Sequence, residues 1–330
     1  MKAIALLSGG LDSTLAVKLV LEQGIDVVAV NYVTPFCQCS RKGCRHEAKK
    51  AADDFGIKLK AFNISGDFLE VVKNPKHGYG RNLNPCIDCR IMMHRKAKEY
   101  MEETGASFLI TGEVLGQRPM SQHRKALELI ERESGVEGLV LRPLSAKLFA
   151  PTIPETTGVV DRERLLDFNG RSRKPQIALA EKLGVNDYPC PAGGCLLTDA
   201  GFARRMRDLM EHGELSVEEI PLLKVGRHFR LSPSAKLVVG RDEGENERLL
   251  SLAGEGDICF DPLEVMGPIG IGRGFFDQEH LSLGSQVIAR YCSDHEDGTL
   301  EIGHRIWPDE KATSMTSRSM AEAQLQEFRI

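Results

Sequence analysis

Residues 3–7, Ala-Ile-Ala-Leu-Leu, form an unbroken apolar run that passes directly into Ser8-Gly9-Gly10-Leu11-Asp12-Ser13. From Thr14 to Glu22, Leu15, Ala16, Leu19 and Val20 then recur at helical spacing, with Gly24 just beyond. This order predicts a buried strand, a glycine turn, a helix and a helix stop. Where a strand hands over to a helix, unpaired backbone N–H groups and the positive end of the helix dipole converge, so the turn is suited to an anion. Gly9 and Gly10 let the backbone approach a phosphate, and Ser8 and Ser13 supply hydroxyls. Asp12, beside Leu11 at the helix start, is placed to help hold a magnesium ion or to cap the helix. Neither the lysine-bearing phosphate-loop pattern nor Gly-x-Gly-x-x-Gly occurs here. An ordinary glycine turn with a Ser/Asp cap is the bland alternative.

The alternation continues. Residues 25–30 read as a strand, 47–55 as a helix ended by Gly56, 57–64 as a strand, 92–104 as a helix stopped by Gly105, and 107–111 as a strand leading into Gly112. Strands alternating with helices imply an α/β fold with a parallel sheet covered on both faces. A further helix pattern, 173–184, precedes the Pro/Gly/Cys-rich segment 188–197 and an amphipathic stretch, 200–212. The expected organisation is therefore a catalytic domain over 1–200, a helical connector over 201–225 and a second, smaller α+β domain over 226–305. In that module 236–239, 257–260 and 286–291 read as short β runs, and the glycine-rich 267–274 as a hairpin loop. Residues 306–330, rich in Ser, Glu and Met, read as a weakly ordered tail.

With 42% apolar and 27% charged residues, the chain is not disordered throughout. No apolar run approaches the roughly 18–20 residues of a membrane span. The apolar start is interrupted at Gly9, Gly10 and Asp12 before any cleavage-site pattern, so a cytoplasmic protein with no membrane partner is expected. The net charge of −4 conceals two unlike parts: 28 Lys and Arg against 24 Asp and Glu up to residue 200, then 15 against 23. Seven of the nine cysteines lie in the first part, in three groups: Cys37, Cys39 and Cys44; Cys86 and Cys89; Cys190 and Cys195. In a reducing cytosol this grouping points to metal, cluster or sulfur chemistry rather than disulfide staples. Cys259 and Cys292, in apolar runs, read as small core residues.

Ser8–Ser13, in its place after the first strand, resembles the signature of the PP-loop ATP pyrophosphatases. The resemblance implies a HUP/PP-loop (adenine nucleotide alpha hydrolase-like) fold, ATP and Mg2+ as cofactors, adenylation of a substrate oxygen and release of pyrophosphate. It assigns ATP binding to Ser8, Gly9, Gly10, Leu11, Asp12 and Ser13. The stretch TGEVLGQRPMSQ, 111–122, followed by LRPLSAK, 141–147, resembles the tRNA 4-thiouridine synthases. By that resemblance Gly112, Glu113, Gly116 and Gln117 lie near the nucleotide. NPCIDCR, 84–90, is similar to a segment of the tRNA 2-thiouridylases, with Cys89 at the place of the catalytic cysteine, Cys86 added, and their later cysteine falling near Cys195. Together these resemblances imply ATP-dependent thiolation of a tRNA uridine, most directly 4-thiouridine formation. Asp12, Cys89 and Cys195 would be catalytic, and tRNA and a sulfur donor, a cysteine desulfurase or free sulfide, would be the partners.

The cysteines leave three designs open. Cys89 and Cys195 suit a persulfide mechanism in which one carries sulfur and the other resolves a disulfide. Cys86 and Cys89, with Cys195 or Cys190, could hold three irons of a 4Fe–4S cluster, as in cluster-dependent tRNA thiolases that this pattern resembles. Cys86, Cys89, Cys190 and Cys195 also have a spacing suited to structural Zn2+. Cys37, Cys39, Cys44 and His46 would form a small zinc site, a second sulfur relay or nothing. Lys and Arg in 41–50, 90–98 and 162–174 could meet an RNA backbone. Residues 236–249 with 256–262 resemble the RNA-binding module of NFACT-type proteins, which makes Arg241 and Asn246 candidate RNA contacts. Rival readings are an amidating or nitrile-forming PP-loop synthetase acting on a small molecule, and a non-catalytic, zinc-stabilised RNA-binding protein. Whether the chain forms a homodimer stays open.

Overall fold

The first apolar run becomes β1 (Lys2–Leu6), and the alternation read from the sequence continues through α1 (Leu11–Leu21), β2 (Asp26–Val33), α2 (Cys44–Asp54), β3 (Leu59–Asn63), α3 (Ser65–Lys73), α4 (Cys86–Glu103), β4 (Phe108–Ile110), α5 (Arg124–Ser134), β5 (Val140–Leu141), α6 (Ile153–Thr156) and α7 (Lys174–Lys182). This computed structural model describes residues 1–37, 44–185, 188, 194–213, 215–293 and 298–330, the side chains of Cys44 and Arg45 excepted. The chain divides into two units, Met1–Thr198 and Asp199–Ile330.

In the first unit the strands lie in the order β3-β2-β1-β4-β5, every adjacent pair parallel. This is the α/β class expected from the alternation. Ala3, Ile4 and Ala5 of β1 are buried on both faces of the sheet, which is why the run from residue 3 is continuously apolar. Ala3 and Ala5 pack with Leu11, Leu15 and Val20, whereas Ile4 faces Ala97, Met101 and Val136 on the other side.

The second unit contains α8 (Ala200–His212), β6 (Arg227–Ser232), β7 (Ala235–Val239), α9 (Glu243–Leu252), β8 (Ile258–Pro262), β9 (Gly270–Gly274), α10 (Gln278–Arg290), β10 (Thr299–Ile306), β11 (Thr313–Arg318) and α11 (Glu322–Phe328). Its strands form one antiparallel sheet, β11-β10-β8-β9-β7-β6. Val287 and Ile288 of α10 join one apolar cluster with Phe260, while Leu249 of α9 joins another with Cys259 and Ile271. Cys259 is thus a core residue, and Cys292 packs at the edge of the α10 cluster.

Four readings of this half change. Residues 286–291 are not a β run but the end of α10 and the residue after it. Three consecutive buried residues, Val287, Ile288 and Ala289, imitate a strand, but Asp277 caps the helix well upstream by accepting from the His280 N–H at 3.0 Å. Residues 270–274 are not a hairpin loop but β9, central in the sheet. A Cβ on Gly270 would stand 2.6 Å from Ile288 Cδ1, so the missing side chain is what lets α10 lie on the strand. The tail is ordered: β11 pairs with β10, and Met320 and Leu325 are buried. Nor is α8 a simple connector, because its Asp208 accepts two hydrogen bonds from Arg230, at 2.9 and 2.7 Å, and one from Lys236 at 2.9 Å, tying the helix to β6 and β7. Among the described residues no helix is long and apolar enough to cross a membrane.

Candidate active site

In a sheet of order 3-2-1-4-5 the connections leave β1 and β4 in opposite directions, and the crevice between their carboxyl ends is where such sheets place ligands. Ala5 pairs with Ile110, so the loop after β1, residues 8–13, and the loop after β4, starting at Thr111, open side by side. Their backbones are in contact: a Cβ on Gly112 would lie 2.4 Å from Ser13 N and 2.5 Å from Asp12 C. Gly9, at φ +76°, is similarly close to α2, where a Cβ would meet Ala48 N at 2.5 Å. Ser13 Oγ donates to Gly10 O at 2.9 Å and accepts from Ser8 N at 3.3 Å, which folds the loop over the start of α1. Gly10 occupies the helix N-cap without a side-chain cap, so no capping side chain competes with an anion there.

Asp12 Oδ2 accepts from Gln117 Nε2 at 2.8 Å and faces Arg173 at 3.7 Å. Its Oδ1 is buried with no hydrogen-bond partner among the described residues, an open acceptor that fits Mg2+. Gln117 Oε1 in turn accepts from Gln176 on α7 at 3.4 Å. Gly116 N donates to Gln122 O at 2.7 Å, closing a turn within the same loop.

Glu113 lies deeper, 2% exposed. Its Oε2 accepts from Arg142 Nε at 3.1 Å and Thr111 Oγ1 at 3.2 Å, and Arg90 approaches its Oε1 at 3.8 Å. Burial alone would raise this carboxyl, but Arg142 and Arg90 outweigh it and hold it at about 2. Arg142 is a site residue the sequence reading missed, and Arg90 was read there only within a basic run that could meet an RNA backbone. Both lie inside the quoted segments 84–90 and 141–147, but nothing local marks them as partners of one carboxylate.

His94, one turn beyond Arg90, is fully buried and donates from Nδ1 to Arg90 O at 2.8 Å. Burial pushes its imidazole down from 6.5 to about 4 despite the pull of Glu113. Below about 6.5 the unfolded chain therefore binds a proton that the folded chain refuses until about pH 4, so stability falls as pH drops through that window. Between about pH 7.5 and 5 the His94 contribution to this loss is roughly 2 kcal/mol. Urea denaturation of His94→Met should show a flatter pH dependence over the same range, and slopes equal to wild type would refute the assignment.

The cysteines come together from two distant segments. Cys86 opens α4, and Asn84 donates to its Sγ at 2.8 Å. Cys195 is brought alongside by Leu83 N donating to Leu197 O at 3.1 Å and Asn82 Nδ2 donating to Thr198 O at 2.8 Å. Cys86, Cys89 and Cys195 are partly buried. Burial pushes the Cys89 thiol up to about 12 and the Cys195 thiol up to about 11, and raises Cys86. Cys89 senses the charge of both other sulfurs, and Arg90 opposes the rise at Cys86 and Cys89. Arg118 also opposes the rise at Cys86, and the loop after β4 links the two places, with Gly112 against Ser13 and Asp12 and Glu113 facing Arg90, the residue after Cys89, at 3.8 Å. Cys37 is disulfide-bonded, which corrects for this residue the expectation of no disulfide staples, and its backbone forms an antiparallel bridge with Cys195, a link that spacing did not reveal.

Three soft sulfur ligands with two guanidiniums in reach suit an anionic iron–sulfur cluster by donor type. Among the described residues, however, no three His, Cys, Asp or Glu side chains already stand at metal-holding separations. Cys39, the Cys44 side chain and Cys190 lie outside the described residues, while His46 is exposed on α2.

In the second unit, Asn246 is turned inward: Oδ1 accepts from Ile269 N at 3.0 Å and Nδ2 donates to Gly267 O at 3.5 Å. Arg241 donates to Gly226 O at 2.8 Å and faces Glu245 at 3.5 Å, leaving about half its side chain, 49%, exposed. Asp242 caps α9 by accepting from Glu245 N at 2.9 Å.

Residues 1–147 match the family model described as thiamine biosynthesis protein (ThiI), and residues 226–329 match the NFACT protein RNA binding domain. A probable tRNA sulfurtransferase from Methanosarcina mazei is 34% identical over 126 residues, 35% of this chain and 29% of that protein. The tRNA-specific 2-thiouridylase MnmA 1 of Caldanaerobacter subterraneus subsp. tengcongensis is 35% identical over 121 residues, 32% of this chain and 33% of that protein. The chain thus spans about a third of the length of these curated relatives. A solved 4-thiouridine synthetase in complex with RNA and bound ATP is similar at a TM-score of 0.37 and 24% identity, covering 56% of this chain and 51% of that one. The part of the chain that carries the loop, Glu113, Cys86 and Cys89 is thus similar to the ThiI family, and the greater part of the second unit is similar to the NFACT RNA-binding family, with Cys195 outside both matches.

Proposed function

We propose that the chain is an ATP-dependent tRNA sulfurtransferase that thiolates a uridine, forming 4-thiouridine, with Ser8–Ser13 holding ATP and the cysteines beside it serving the sulfur step. One observation carries this reading: the loop after β4 reaches both places, Gly112 lying against Ser13 and Asp12 and Glu113 facing Arg90, the neighbour of Cys89, at 3.8 Å. A uracil carbonyl oxygen is a poor leaving group. Its attack on the α-phosphate of ATP releases pyrophosphate and converts it into an adenylate. Hydrosulfide then forms the C–S bond as the C–O bond breaks, AMP departs with the electron pair, and a proton is lost.

In the first step the α1 amides and the hydroxyls of Ser8 and Ser13 would receive phosphate oxygens where negative charge builds. Asp12, oriented by Gln117, would hold Mg2+ through its open Oδ1. In the second step Cys86, Cys89 and Cys195 would hold a 4Fe–4S cluster, which when bound supplies an open iron for sulfide. Arg118 and Arg90 would offset the negative charge gathered there. The basic first part of the chain and the second domain, half-exposed Arg241 included, would contact the tRNA backbone.

The test is incubation of anaerobically reconstituted protein with labelled ATP, unmodified tRNA and sulfide. AMP, pyrophosphate and 4-thiouridine are expected in equal amounts. A different thionucleoside would correct the position, and AMP formation driven by a small molecule but not by tRNA would overturn the reading.

A further inference from the structure

Glu113 sits in the loop that closes on the phosphate site, yet its side chain leads elsewhere. Oε2 is held by Arg142 and Thr111, and Arg142 is itself fixed by an ion pair with Glu131 and by the Phe149 ring 5.5 Å away. Oε1 makes no hydrogen bond among the described residues and is turned toward the Arg90 guanidinium at 3.8 Å. Arg90 follows Cys89 directly and lies one helical turn after Cys86, so Cys86 and Arg90 share a face of α4. A chain of alternating charge, Glu131–Arg142–Glu113–Arg90, therefore ends on the thiol-bearing turn of α4. Its middle is interior, 4% exposed at Arg142 and 2% at Glu113, and its ends are partly exposed, 18% at Glu131 and 27% at Arg90.

We propose that Glu113 is a positioning residue of the sulfur step: it fixes the Arg90 guanidinium against Cys86 and Cys89 so that an anionic sulfur species is met by a permanent positive charge, and it does not hold the nucleotide. The proposal rests on the thiolation reading for its substrate, but the charge geometry stands apart from it. An arginine suits the task because it stays charged when partly desolvated. A buried carboxylate suits the other end because a guanidinium on a helix surface otherwise samples many rotamers.

The test uses the full chain, metal-free and reduced. Cys86 and Cys89 are alkylated in parallel by iodoacetate, an anion, and by neutral iodoacetamide, and the rates are read by peptide mass. The ratio of the two rates reports fixed positive charge at the sulfur, because the thiolate fraction cancels. Arg90→Met, at a partly exposed position, should lower the ratio about three- to tenfold. Glu113→Gln should lower it comparably, the double variant should add little, and Arg90→Lys should restore part of it. Loss of the ratio in Arg90→Met but not in Glu113→Gln, or in neither, overturns the proposal. In the loaded protein, Glu113→Gln should raise the KM for sulfide about tenfold and leave the KM for ATP in pyrophosphate exchange within about twofold. A raised KM for ATP would instead make Glu113 a nucleotide ligand and overturn the proposal. A wild-type chain with the expected alkylation ratio but no thionucleoside would leave the charge relay standing and defeat only the thiolation reading.

Discussion

Gly112→Ala is expected to lower ATP-driven pyrophosphate release at least about a hundredfold in a chain that still folds, because a displacement of about 1 Å in a positioned site costs that much. The added Cβ would meet Ser13 N at 2.4 Å and Asp12 C at 2.5 Å. Both contacts are backbone atoms of the first turn of α1, so no side chain can swing aside. Relief must come from moving the turn that carries the phosphate-facing N–H groups and Asp12. Gly66→Ala is the matched control, since a Cβ there meets nothing within 4 Å. Pyrophosphate release at wild-type rate by Gly112→Ala would remove the crevice between β1 and β4 from the catalytic site.

The second large effect separates the two half-reactions. Cys89→Ser and Cys195→Ser should each cut thionucleoside formation by a factor on the order of a thousand or more, because a serine hydroxyl can neither carry sulfur nor ligate iron as a thiolate does. Pyrophosphate release on forming the adenylate should persist, since the residues proposed to contact the nucleotide lie on α1 and the loop after β4. Cys86→Ser distinguishes the sulfur designs: loss of iron and of brown colour along with activity supports the cluster, whereas full activity without iron supports a persulfide on Cys89 and Cys195. Cys259→Ser, 2% exposed in the core of the second unit, should change stability and leave both half-reactions intact. Thionucleoside formed at an undiminished rate by Cys89→Ser would sink the assignment.

Much of the first unit was legible because its signals are local. A continuously apolar strand, a glycine turn, a helical stripe and a glycine stop each occupy a few consecutive residues, and their alternation implies a parallel sheet. The second unit was harder. The glycines of β9 read as a turn until α10 is seen lying on them, and residues 287–289 imitate a strand because one face of a helix is buried more widely than usual. The tail looked polar and loose, yet its few apolar residues, Met320 and Leu325, are buried in a core that the strands assemble.

That a glycine turn with two serine hydroxyls opens onto the start of α1 follows from sequence alone, because glycine, hydroxyl and helix start lie within one turn of chain. Which charges meet does not. Glu113 lies 29 residues from Arg142, and their pairing exists only because β4 and β5 are neighbours in the sheet. Cys195 reaches the amino end of α4 through hydrogen bonds to residues 82 and 83, a contact that no spacing encodes. Local propensity sets what each segment becomes. Strand order and burial decide which distant side chains are forced together, and burial also decides how strongly they act on one another, since the same charges would be screened in water.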